Sequence, residues 1–92
     1  MSGGFFEYQQ YRLGLMADEI QEIIDTNGKE NGNGMCYNYS DATMEEFKSA
    51  VLLFRKAYIY AHRIDWLVSG DDGEEEFHVR LQQELNELNQ KL

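Results

Sequence analysis

Apolar residues return every three or four positions in three stretches of the chain, and polar, glycine-rich stretches separate them. The glycines cluster at 3–4, 28–34 and 70–73, and there is no proline. This spacing belongs to amphipathic helices, because strand side chains alternate with a period of two. The pattern predicts helices over about 7–26, 44–68 and 73–91, within one helical domain spanning 1–92. The expected fold is all-α, a three-helix bundle-like domain with a Gly/Asn-rich loop between helices 1 and 2.

In the first stretch Leu13, Met16, Ile20, Ile23 and Ile24 share one side, and Asp18, Glu19, Glu22 and Asp25 take the other. Asn27-Gly28 is a natural stop, since both residues tolerate the left-handed conformation that ends helices. Gly14 weakens the early part by about 1 kcal/mol relative to alanine. Residues 27–42 read as a polar loop. Its Asn-Gly steps suit tight turns, and Met35–Tyr39 is its one strand-like run.

Thr43 with Glu46 fits a capping box for the second helix. Phe47, Ala50, Val51, Phe54, Ala57, Tyr58, Ala61, Ile64 and Val68 fall on one broad arc and predict its core face. The third helix is expected to start at Asp71 or Asp72. Phe77, Leu81, Leu85, Leu88 and Leu92 then form a narrow strip like a coiled-coil seam, so self-association through helix 3 into a homo-oligomer is expected.

Composition supports a folding chain. Of 92 residues, 42% are hydrophobic and 13% aromatic, beyond what disordered chains carry. Cys36 is the single cysteine, which excludes an internal disulfide. No apolar run approaches the roughly 20 residues of a membrane span, and no positively charged, apolar leader opens the chain. No membrane partner and a cytoplasmic location are therefore expected.

Charge changes the picture more. The net charge is −9, which argues against direct nucleic-acid binding. Yet residues 44–63 hold Lys48, Arg55, Lys56 and Arg63 against only Glu45 and Glu46, between two acidic stretches. On a helical projection these four bases share an arc with Leu52, Ile59 and Trp66, opposite the predicted core face. Arginines beside an aromatic suit a phosphate-bearing ligand with a planar base. Together with the aromatic N-terminal stretch, the candidate ligand-binding residues are Tyr8, Tyr11, Arg12, Arg55, Arg63 and Trp66. The alternative is that the bases pair with acids of helices 1 and 3.

No motif predicts a catalytic residue, a metal ligand or a cofactor. The acids at 71–76 lack calcium-loop spacing. Glu75-x-x-His78 matches one step of a di-metal bundle, without the second step that such sites need. Glu19-x-x-Glu22 is similar to the first half of the E-x-x-E and E-x-x-D pattern of magnesium-dependent helical nucleotide pyrophosphohydrolases. The second half is absent, since Lys48 and Ser49 stand where an aspartate would follow Glu45 or Glu46.

The opening Met-Ser-Gly-Gly-x-Phe-x-Tyr-x-Gln (1–10) and Ser-Gly-Asp-Asp-Gly-Glu-Glu-x-Phe-His-x-Arg-Leu (69–81) resemble a family of small phage and prophage proteins that carries no assigned activity. The resemblance implies a source, with the bacterial host cytoplasm as the location, and no mechanism. It directs expectation to a non-enzymatic binding or inhibitor protein of anti-defence type, which acts on a host protein or sequesters a small nucleotide signal. The alternatives are a pyrophosphohydrolase-like enzyme using Glu19, Glu22 and the Asp71–Glu75 cluster, and an acidic mimic of DNA.

Overall fold

The computed structural model describes residues 4–29 and 37–90. Among them are three helices, α1 (Tyr11–Thr26), α2 (Asp41–Val68) and α3 (Glu74–Gln90), and no strand. Cys36 and the first part of the strand-like run lie outside the described residues, and Tyr37 to Ser40 have no regular structure.

The helix ends follow local chemistry. α2 starts three residues before the predicted point because Ser40, not Thr43, is the N-cap: its Oγ accepts from the Thr43 amide at 3.3 Å. α1 starts four residues late. Residues 4–10 form turns instead, with Gly4, Glu7 and Tyr8 all at positive φ. At the far end of α1, Gly28 takes φ +80°, as a helix stop requires. The Asn27 side chain then clasps Tyr39, accepting from its amide at 2.9 Å and donating to its carbonyl at 3.1 Å, which ties the two ends of the connection together.

α2 is the centre of the molecule. Both α1 and α3 pack on it, and they do not pack on one another. Each runs antiparallel to it: Tyr11 stacks near Tyr58 and His62 while Asp18 meets Arg55, and Glu84 meets Arg63 while Leu88 borders Leu52 and Ile59. The result is thin. The Cα atoms extend 48 × 28 × 15 Å, with a radius of gyration of 16.4 Å where a compact chain of this length has about 12 Å.

Thinness limits the core. Ala17, Met44 and Val51 are the buried hydrophobic residues among those described. The predicted core face of α2 is only partly used: Val51 is buried, Phe47, Ala50, Phe54, Tyr58, Ala61 and Ile64 are half-buried, and Ala57 and Val68 are exposed. The buried arc is turned toward the side of Leu52, Ile59 and Arg63, because α3 packs there. The predicted opposition between a core face and a basic face is therefore incorrect for this helix. α3 presents Phe77, Leu81, Glu84, Leu85 and Leu88 to α2, all half-buried, and exposes the rest of its described positions. The strip from Phe77 to Leu88 thus packs within the chain, and Leu92 lies outside the described residues.

Candidate functional site

Each candidate base sits in a different environment. Arg63 is buried at 6% exposure, with its Nη1 3.4 Å from Asp72 Oδ2 and its Nε 3.2 Å from Glu84 Oε1. The second contact lacks the alignment of a hydrogen bond, so it acts as a charge contact. Arg80 approaches the other oxygen of Asp72 at 3.4 Å, and the Arg63 guanidinium lies 5.0 Å from the centre of the Trp66 ring. The expectation that Arg63 receives an anionic ligand is therefore incorrect in this geometry. Two carboxylates and an aromatic face already occupy it.

Arg55 donates to Asp18 at 2.9 Å across α1 and α2, on a partly exposed surface. Arg12 is exposed on α1. None of these three arginines borders the space between Tyr8, Tyr11 and Trp66. The bases divide between internal pairs and open surface, while the aromatic members of the predicted set come together.

They meet where the N-terminal segment crosses the C-terminal end of α2. The Phe6 amide donates to Asp65 Oδ1 at 2.9 Å, and the Phe5 amide donates to Ser69 Oγ at 3.1 Å. Gly4 lies so close that a Cβ there would stand 2.7 Å from Asp65 Oδ2, at a φ of +67° that side chains rarely adopt. Glu7 and Tyr8 then occupy left-handed backbone at φ 53° and 66°. That conformation costs on the order of 1–2 kcal/mol for each non-glycine residue, so the docking contacts must hold it. Its effect is to set Tyr8 beside Tyr11, with ring centres 6.1 Å apart.

From there an aromatic ladder runs along α2. Tyr58, His62 and Trp66 are spaced four residues apart, with Tyr58 stacked on His62 and Trp66 tilted against it at ring-centre distances of 5.7 and 5.6 Å, and Tyr11 lies against the first two. Burial pushes the Tyr58 phenol pKa above its usual value, with Tyr11 and Glu84 adding to the rise and Arg63 opposing it. Burial also holds His62 below the ordinary imidazole value, and Arg63 adds repulsion, while Glu84, Asp65 and Asp72 pull the other way. The His62 Nδ1 is enclosed without a hydrogen-bond partner, which fits a neutral ring.

Between the ladder and the N-terminal segment is a pocket of about 210 Å³ lined by Gly4, Tyr8, Gln10, Tyr11, Asp65, Trp66 and Asp71. Its chemistry is one-sided. Three aromatic rings, two carboxylates and an amide face it, and no basic side chain does. Asp65 is 7% exposed and Gln10 4% exposed. Among the described residues no cation lies within 4 Å of Asp65, and the Gln10 Oε1 has no hydrogen-bond partner. A buried carboxylate that no cation among the described residues pairs with favours a positive group nearby. Sequence reasoning missed Gln10 and Asp65. Asp65 stands four residues before Ser69 and one before Trp66, but only the docked segment makes it part of a pocket.

The acids of the enzyme alternative do not converge. Glu19 and Glu22 border a hollow near Tyr37, at the N-terminal half of α2. Asp71–Glu75 follows the other end of α2, roughly 30 Å away at 1.5 Å per residue. Among the described residues no three His, Cys, Asp or Glu side chains form a group able to hold a metal ion. Among the same residues no helix is long and apolar enough to cross a membrane.

The class that these features define is an all-helical chain with a central helix, two flanking helices and a polar-aromatic pocket at one end. No family model, no curated protein and no solved structure matches it.

Proposed function

We propose that the protein is a non-enzymatic binding protein whose ligand carries an organic cation, an alkylammonium or guanidinium group, held in the pocket at the C-terminal end of α2. The observation that carries this reading is the composition of that pocket: Tyr8, Tyr11 and Trp66 as walls, Asp65 and Asp71 as charge, and no base. Aromatic faces attract cations by about 0.5–2 kcal/mol each, more where water is excluded. A nearby carboxylate adds a charge-assisted hydrogen bond. The same composition disfavours a nucleotide phosphate, which would face Asp65 and Asp71 with no cation among the described lining residues to offset them.

A host factor would engage the pocket through a lysine or arginine side chain. Trp66 is the chain's single tryptophan, so its fluorescence reports on the pocket directly. Titration with butylammonium or arginine amide is expected to give a saturable change. Asp65→Asn keeps the acceptor for the Phe6 amide and is expected to weaken binding about tenfold, the equivalent of one charge-assisted contact. A saturable response to nucleoside phosphates with none to the cations would overturn the proposal.

A further inference from the structure

The side of α2 turned away from both flanking helices carries a regular apolar seam. Ala50, Leu53, Ala57, Tyr60, Ile64 and Leu67 are spaced 3-4-3-4-3, the a and d positions of a heptad repeat. Leu53 is 67% and Tyr60 45% exposed, Ala57 is exposed, and the other three are half-buried. Val68, beside the seam, is 53% exposed. An amphipathic helix with a second apolar stripe in water is missing a neighbour.

The charge pattern says what that neighbour is. The chain carries −9, so two copies repel across most of their surfaces. From Phe47 to Ile64, however, there is no Asp or Glu at all. The back of α2 therefore offers an apolar seam along which, from Phe47 to Ile64, a second copy would meet no carboxylate. Lys56, at a flanking position of the seam, is exposed and adds no acid.

Side-chain volumes set the direction. In a parallel pair each seam residue meets itself, which places Tyr60 on Tyr60 and leaves Ala57 facing Ala57 with a gap. In an antiparallel pair centred between residues 58 and 59, Ala57 meets Tyr60, Ala50 meets Leu67 and Leu53 meets Ile64. Small then faces large in two of the three layers, as close packing requires. The antiparallel arrangement also separates the two acidic turns at 71–76, which a parallel pair would bring side by side.

We infer that the protein forms an antiparallel homodimer through the exposed face of α2, with two copies of the Ala50–Leu67 seam as its core. The dimer is independent of the cation pocket, which lies on the opposite, α1-facing side of α2 and is lined by none of the seam residues.

Light scattering with sedimentation velocity tests it on the full chain. The wild type is expected at twice the 10.8 kDa chain mass at micromolar concentration. Leu53→Glu, at an exposed position, is expected to give the single-chain mass with unchanged helical circular dichroism. For direction, Cys36→Ser chains carrying Ala57→Cys are mixed with chains carrying Tyr60→Cys. The mixture is expected to form disulfide dimers faster than either variant alone. A monomeric wild type, or a Leu53→Glu variant that stays dimeric with its fold intact, overturns the interface. Faster cross-linking of each variant with itself overturns the antiparallel direction.

Discussion

Single residues hold this structure together where the hydrophobic core is small. Arg63 is the main case, because its guanidinium joins Asp72 and Glu84 beneath the Trp66 ring. Removing one member of a buried ion pair costs on the order of 3–5 kcal/mol, since it leaves the other charge unpaired. Arg63→Ala is therefore expected to lower the melting temperature by many degrees, and Arg63→Met with Asp72→Asn to recover part of that loss. A melting temperature for Arg63→Ala within a degree or two of wild type would show that the pair carries little. His62 gives the pH dependence. Its folded-state pKa is depressed, so the unfolded chain binds the proton more readily. The stability contributed by neutral His62 is present above the unfolded value of about 6.5 and is lost as pH falls below it. Thermal melts of wild type and His62→Phe between pH 7.5 and 5.5 separate this from general acid effects. The variant is expected to lose less stability over that interval, and equal losses would contradict it.

At the scale of elements, the positions of the helices were legible in the sequence, and the faces they bury were not. Periodicity locates α1, α2 and α3 because an amphipathic stripe repeats whatever it packs against. A helix touched by two neighbours has no single apolar face, and α2 is such a helix. Its true inner arc includes Arg63 and Asp65, which a hydrophobicity pattern assigns outward. The aromatic N-terminal stretch stands out in the sequence, but the left-handed turn at Glu7 and Tyr8 follows from Asp65 and Ser69, residues about 60 positions away. Gly14 shows the same separation of local and tertiary effects. It reads as a weak point in α1, and in the structure a Cβ there would lie 3.9 Å from the Tyr58 ring, an ordinary contact. Gly14→Ala is therefore expected to stabilise the protein by about 1 kcal/mol, read as a rise in the urea midpoint at constant slope. A lower midpoint would mean that the α1–α2 spacing does not admit a methyl group.

For the whole molecule, shape and charge act together. Two acidic helices flank a central helix that is carboxylate-free over most of its length, and the pairs Arg55–Asp18 and Arg63–Glu84 join it to each side. The basic character of α2, which suggests an anion site when read along the sequence, is spent at Arg55 and Arg63 in holding α1 and α3, while Lys48 pairs with Glu45 on α2 itself and Lys56 stays exposed. What remains open at the end of α2 has the reverse polarity, with carboxylates and aromatic rings facing the pocket. The sign of the ligand's charge is thus the central claim, and a matched pair of small ligands tests it most directly. Amide chemical shifts are followed by two-dimensional NMR while butylammonium or butyrate is added at constant ionic strength. Butylammonium is expected to move Tyr8, Tyr11, Asp65 and Trp66 along a saturable curve, and butyrate to leave them in place. Saturable movement of those four residues by butyrate alone would contradict it.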